Sequence, residues 1–328
     1  MKFASKKNDG LDGELCLVSQ DLKHYYSLSH LCPTLQQAIE QWDKFEKDFL
    51  GLYQQLNRNQ LQDIHPFVSH QFAAPLPRAY QWADGSSYLN HVELVRRARG
   101  AEMPKEFLTD PLMYQGGSDQ FIGPNDSIYV SSESYGIDFE SEVVVVTQKV
   151  PMATNAKACE DKILLLMLTN DVSLRELIPQ EIAKGFGFFH SKPASSFSPV
   201  AVTPDELGEF WDGQRVHLPL YSYLNQELFG HPNAGEDMQF SFPELIAHAA
   251  KTRTLCAGTL IGSGTVSNRN QSVGSSCIVE KRMIEIIEQG MPQTSYMRFG
   301  DTIRIEMLKP NGENIFGSIN QKVEEYHG

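Results

Sequence analysis

The chain has 328 residues, 41% hydrophobic, 10% aromatic and 21% charged, which suits one large globular domain or two moderate ones with a full core. A formal net charge of -13 argues against nucleic acid or an anionic membrane as the main partner. Five scattered cysteines (Cys16, Cys32, Cys159, Cys256, Cys277) form no CxxC pair and fit reduced thiols better than a disulfide framework or a zinc site.

The N-terminus MKFASKKNDG lacks the apolar core of a signal peptide, and no apolar run reaches membrane-spanning length, so the expectation is a soluble, cytoplasmic protein. Residues 1–75 read as a small α+β unit. Alternation over 1–19 around the NDG turn at 8–10 suggests a β-hairpin. From Pro33 a helical pattern follows, with Leu35, Ala38, Ile39, Trp42, Phe45, Phe49, Leu52 and Leu56 at three- and four-residue spacing. His24, His30, His65 and His70 stand isolated and suit surface or capping roles. AAPLPR at 73–78 is an extended connector, because its prolines resist helix and sheet alike. The boundary is placed there, leaving 76–328 as a second domain.

After the connector, ADGSSYLNH carries Asp84 on a turn-prone stretch and His91 seven residues later, on the first turns of an arginine-rich helix. Asp84 can be read as a ligand or as an N-cap. DPLMYQGGSDQFIGPNDSI, with Tyr114 and Gln115, reads as a long loop suited to binding. YGIDFESEVVVVT (135–147) reads as a buried strand entered through Asp138, Glu140 and Glu142, which alternation would set on one face. Such crowding is costly without a positive charge among them, and oxygen donors favour a hard divalent cation. The same acids could instead be solvated at a strand's surface end, paired with a Lys or Arg.

A helix over 155–164 and a buried strand over 163–168 come next, then Thr169, Asn170 and Asp171. Asp171 and Arg175 lie four apart, as a cap and ion pair at the start of a short helix would. Lys192 sits in a loop among Phe186, Phe188, Phe189 and Phe197, where a cation would be partly desolvated. Residues 215–220 and 221–229 read as antiparallel strands around Asn225. PELIAHAAKTRTLCAGTLIGSG reads as a helix ending before Gly258, then a strand into GSGTVS. That Gly-Ser-Gly-Thr turn lacks the spacing of a phosphate loop, so a nucleotide site is rejected. The tail reads as a β-hairpin around Asn311-Gly312.

In order, ADGSSYLNH, FESE, NDVSLR, the loop with SKPASSFSP, GSGTVS and CIVEKR resemble the fumarylacetoacetate hydrolase family, over roughly three quarters of the chain. The resemblance implies an α+β, mainly β fold: a mixed β-roll catalytic domain behind a small N-terminal domain, usually as a homodimer. It implies metal ligands at Asp84, Glu140, Glu142 and Asp171, holding Mg²⁺, Ca²⁺ or Mn²⁺, with Asp138 outside the ligand set. Catalytic roles fall on His91, oriented by Glu280, and on Arg175 and Lys192. Substrate contacts fall on Tyr114, Thr265 and an arginine, taken as Arg97 from among Arg96, Arg97 and Arg99. The family's substrate-binding glutamine meets Ile178 here, with Gln180 as the nearby substitute, and the loop from Lys192 to Ser198-Pro199 is one residue shorter. The implied reaction is hydrolysis of a carbon–carbon bond in a 1,3-diketo acid, 4-fumarylacetoacetate going to fumarate and acetoacetate, as in tyrosine and phenylalanine breakdown. Acylpyruvate hydrolysis, oxaloacetate decarboxylation and hydration or isomerisation of 2-keto-4-enoic acids use the same ligand set. A non-catalytic metal-binding scaffold is the alternative of a different class.

Overall fold

The computed structural model describes residues 1–97 and 104–328. Strands β1 (Lys2–Lys6) and β2 (Glu14–Val18) form the expected hairpin, with Phe3 opposite Leu17, and β3 (His24–Ser27) extends it. The helical pattern becomes two helices, α1 (Leu35–Glu40), capped by the Thr34 side chain, and α2 (Trp42–Asn57). Their three- and four-residue spacing collects Leu35, Ile39, Phe45, Phe49 and Leu56 on one buried stripe. The short β4 (His65–Pro66) ends the unit.

Beyond the connector, β5 (Trp82–Gly85) and α3 (Leu89–Arg97) follow, then β6 (Met113–Gly116). Asp84 therefore lies in a strand, not in a loop or at a cap, and Tyr114 lies opposite it on β6. Pairing of β5 on both edges outweighs the turn chemistry of Asp-Gly-Ser-Ser. Strands β7 (Ile128–Val130), β8 (Ile137–Asp138) and β9 (Ser141–Thr147) come next. The helix expected over 155–164 shrinks to α4 (Ala156–Cys159) and a 3₁₀ turn, because β10 (Ile163–Asn170) claims the apolar run for pairing with β9. Then come β11 (Ser173–Leu174), α5 (Ile178–Ala183), β12 (Ser196–Phe197) and β13 (Ala201–Val202).

The hairpin of β14 (Leu220–Leu224) and β15 (Glu227–Gly230) turns through Asn225 and Gln226, both at positive φ. The strand expected over 215–220 is not formed as such; Val216 and Pro219 make isolated bridges. Helix α6 (Phe242–Ala249), β16 (Leu260–Gly262), α7 (Ile278–Gln289), β17 (Thr302–Met307) and β18 (Ile319–Glu325) complete the chain. Strands β17 and β18 pair antiparallel as expected, but Asn311-Gly312 turns within a longer connection, 308–318.

Among the described residues an eleven-stranded sheet runs β4-β3-β2-β1-β13-β10-β9-β16-β5-β6, with β12 added beside β10. A five-stranded sheet orders β15-β14-β17-β18-β7. Strands from both sides of the 73–78 connector share the larger sheet through Phe3 opposite Ala201. They also share a core, in which Phe3, Trp42 and Phe49 pack with Val144, Val146 and Met167. The other face of β9, Val143 and Val145, packs into a second core with Leu166 and Phe316. Burial on both faces explains an uninterrupted valine run, and each such side chain contributes about 1.5–3 kcal/mol. No described helix is long and apolar enough to cross a membrane.

Candidate metal centre and active site

Three acids arrive at one point from three parts of the larger sheet. Asp84 is on β5, Glu142 on β9 opposite Thr169, and Asp171 directly follows β10. Ligand oxygens of the three lie within 4.8 Å of one another, and all three residues are buried. Strand β16 runs between β5 and β9, with Gly262 in register with Asp84 on one side and Val144 on the other. A Cβ at Gly262 would sit 2.2 Å from Asp84 Oδ1, so only glycine lets the acid lean across the intervening strand. Two residues on, Gly264 has φ +78 and its N–H donates to Asp84 Oδ1 at 3.1 Å. The Gly-Ser-Gly-Thr turn thus holds a carboxylate rather than a phosphate.

Asp171 is well supplied with donors: Tyr114 Oη at 2.7 Å, Lys192 Nζ at 2.7 Å and Ser195 Oγ at 2.6 Å. Glu142 is not. Neither of its carboxylate oxygens has a hydrogen-bond partner among the described residues, and its side chain is 0% exposed. Burial, reinforced by the charges of Asp84 and Asp171, pushes Glu142 well above the usual carboxylate range. Burial and the Asp171 charge push Asp84 up to about 8. A buried acid without a donor is what a hard cation with oxygen ligands would satisfy, so the residues present fit such an ion.

Glu140, the fourth expected ligand, carries two ion pairs in this structure. Arg175 Nη2 donates to its Oε1 at 2.6 Å and Lys192 Nζ to its Oε2 at 2.5 Å. Although burial opposes it, these cations hold Glu140 well below the usual range. Alternation along one strand does not set the three acids together, because β8 ends at Asp138 and β9 begins only at Ser141. Asp138 instead accepts from the backbone N–H groups of Ile278 and Val279 at the start of α7, at 2.7 and 2.9 Å, and from Arg175 Nε at 2.8 Å. The expected helical ion pair of Asp171 with Arg175 is absent, since residues 173–174 form β11 and carry Arg175 to Asp138 and Glu140.

His91, on the first turn of α3, places Nδ1 3.0 Å from Glu280 Oε2 on the first turn of α7. One cavity of about 360 Å³ is lined by Asp84, His91, Glu140, Arg175, Lys192 and Thr265, with Leu112, Met113, Ile178 and Phe188 as its apolar wall. Tyr114 also lines it. Gln180 does not: it is exposed on α5, and Ile178 takes the wall position. Arg97 is exposed at the end of α3 and is not among the lining residues. The side chain of Arg96 and the whole of Arg99 lie outside the described residues.

The Lys192 loop is tied down by an acid that no sequence motif marks, Glu181. Glu181 accepts from the N–H groups of Phe189, His190 and Ser191 at 3.0, 2.7 and 3.1 Å, and from Ser191 Oγ at 2.5 Å. These donors overcome burial and lower Glu181 to about 2. Within the loop Phe186 and Phe189 are exposed, while Phe188 meets the Tyr114 ring edge-on. Ser195 has no sequence signal beyond its place in SKPASSFSP, and Cys277 none beyond opening CIVEKR.

The family model described as fumarylacetoacetate hydrolase C-terminal matches residues 81–324, and that of fumarylacetoacetase N-terminal domain 2 matches residues 1–78. Oxaloacetate tautomerase YisK of Bacillus subtilis (strain 168) is 25% identical over 270 residues, 81% of this chain and 76% of the relative. Fumarylacetoacetate hydrolase from psychrophilic Exiguobacterium antarcticum shares the fold with a TM-score of 0.68 at 17% identity, over 99% of this chain and 100% of that one. Maleylpyruvate hydrolase from Sphingobium sp. SYK-6, in complex with manganese (II) ion and pyruvate, gives 0.66 at 15% identity over 100% of both chains. With the family model covering the strands that bring Asp84, Glu142 and Asp171 together, the chain belongs to the fumarylacetoacetate hydrolase family.

Proposed function

We propose that this protein is a divalent-cation-dependent hydrolase that cleaves a carbon–carbon bond of a 1,3-diketo acid, with 4-fumarylacetoacetate as the substrate. The observation that carries this reading is the donor-free carboxylate of Glu142 beside Asp84 and Asp171, close to the cavity that the His91–Glu280 pair opens into. Asp84, Glu142 and Asp171 would hold Mg²⁺, Ca²⁺ or Mn²⁺, which when bound supplies Lewis acidity to the oxygens of an oxo acid.

The chain's own residues account for the proton transfers. With its Nδ1 hydrogen donated to Glu280, His91 keeps Nε2 as an acceptor facing the cavity, and it takes a proton from the attacking water. Glu280, 2% exposed, fixes that tautomer and stabilises the imidazolium that follows. Lys192 uses two ammonium hydrogens on Glu140 and Asp171, which leaves a third for the oxyanion. A donor of that kind contributes on the order of 3 kcal/mol. When the carbon–carbon bond breaks, its electron pair stays on the leaving carbon, and His91 returns the proton there. Leu112, Met113, Ile178 and Phe188 keep further water from the reacting carbons.

The test is the absorbance of fumarylacetoacetate, followed with added Mg²⁺, Mn²⁺ or Ca²⁺ and again after chelation. Loss of the diketone signal only with metal, with fumarate and acetoacetate as products, is expected. A second reading, keto–enol tautomerisation of an oxo acid, is supported by the similarity to the oxaloacetate tautomerase over 81% of the chain. The same His91–Glu280 pair would move a proton between carbon and oxygen without breaking a bond between carbons. A diketone signal that persists with every metal, alongside accelerated conversion of enol to keto oxaloacetate, would favour that reading.

A further inference from the structure

We infer that His91, Cys277 and Glu280 form a second cation site, selective for a borderline-soft ion such as Zn²⁺, and that its occupation switches the His91–Glu280 pair off. The three donor atoms lie within 4.8 Å of one another. Cys277 Sγ is 4.0 Å and Glu280 Oε2 is 3.0 Å from His91 Nδ1. Tetrahedral zinc with bonds of about 2.0–2.3 Å needs separations of about 3.6 Å (N to S) and about 3.4 Å (N to O), so each distance changes by about 0.4 Å. Cys277 and Glu280 are buried at the start of α7, and three protein donors leave the fourth tetrahedral position to water.

The donor types separate this site from the three-acid cluster. Oxygen-only ligands suit Mg²⁺, Ca²⁺ and Mn²⁺, whereas a nitrogen, sulfur and oxygen set suits Zn²⁺ or Co²⁺. Burial, with the charges of Asp138 and Glu280, holds the Cys277 thiol well above its usual range, so no thiolate waits there unprompted. A coordinated divalent ion deprotonates such a thiol outright. One proton, the thiol's, leaves to solvent, and no electron is transferred. The neighbouring Arg175 guanidinium opposes the ion, but it is paired with Asp138 and Glu140. Inhibition follows from the tautomer. An imidazole that ligates through Nδ1 carries its proton on Nε2 and cannot accept another from water. The inhibitory consequence rests on the function proposed above; the binding does not.

The test is a Co²⁺ titration of the full-length protein with Mg²⁺ saturating the oxygen-donor cluster, read as thiolate-to-cobalt charge-transfer absorption. The cluster has no thiol and cannot give this band. One equivalent should saturate it, Zn²⁺ should abolish it, Cys277→Ser should remove it, and Cys256→Ser, at the exposed thiol, should keep it. Glu280→Gln, which removes no thiol, should weaken Co²⁺ binding at least tenfold and serves if the Cys277 variant fails to fold. With an active substrate in hand, Cys277→Ser should raise the half-inhibitory Zn²⁺ concentration at least tenfold. No band in the unsubstituted protein, or a band that survives Cys277→Ser, would overturn the inference. Because the band is read without substrate, its absence is distinguishable from a wrong choice of reaction.

Discussion

Replacing Glu142 by glutamine should stabilise the metal-free protein and at the same time remove its response to metal. Neither oxygen of Glu142 has a hydrogen-bond partner among the described residues, and two further carboxylates press on them. Burial forces Glu142 toward its protonated form, whereas an amide of the same size is neutral without taking up a proton, and its NH₂ can donate to Asp84 or Asp171. Leaving a buried polar group unsatisfied costs about 1–3 kcal/mol, and relieving it should recover about that much. At roughly 2 °C per kcal/mol for a chain of this size, Tm should rise by about 2–6 °C. Metal at about 100 times Kd should add about 2.7 kcal/mol to the unsubstituted protein, near 5 °C, and under about 1 kcal/mol to E142Q. Thermal unfolding of both proteins, with chelator and with Mn²⁺, gives the four values needed. A chelated E142Q that melts below its parent, with an unchanged Mn²⁺ shift, would refute the assignment of Glu142 as an unsatisfied ligand.

Four other changes follow from the same geometry. Gly262→Ala should lower Mn²⁺ affinity at least tenfold in a calorimetric titration, because its Cβ would meet Asp84 Oδ1 at 2.2 Å and the Trp82 ring at 2.5 Å; wild-type affinity would count against the leaning-acid argument. His91→Ala should cut turnover by about 10²–10⁴ and leave the metal-induced Tm shift intact, and substantial residual activity would remove His91 from the mechanism. Glu181→Gln strips charge from the acceptor of three backbone N–H groups, so KM should rise as the Lys192 loop loosens, with stability down by about 1–2 kcal/mol in denaturant titration. Because Glu181 is lowered to about 2, its contribution is complete above the unfolded value and fades as pH falls from about 4 to about 2. Asp84 runs the opposite way: raised to about 8, it binds more protons folded than unfolded, so the chelated protein should lose stability from about pH 4 to about pH 8. Melting temperatures that rise over that interval under chelation would contradict this sign.

Local pattern carried the sequence far wherever one short segment was enough. The spacing from Leu35 to Leu56 wrote the buried stripe of α1 and α2, and the apolar runs around Val144 and Leu166 wrote two central strands. Motif order pointed to the family and to each acid of the cluster. What it could not supply was the partner of each charge. Asp138, Glu140 and Glu142 share a parity in the chain, yet the break between β8 and β9 sends them to a helix N-terminus, an ion pair and a donor-free pocket in turn. Asp84 looked like a loop residue because its support comes from β16 and Gly264, some 180 residues away, which no window of sequence contains. Glu181 and Cys277 were invisible for the same reason. The identity of an ionisable side chain is written locally, whereas its charge balance is a sum over neighbours within a few ångströms, and only the tertiary fold decides which neighbours those are.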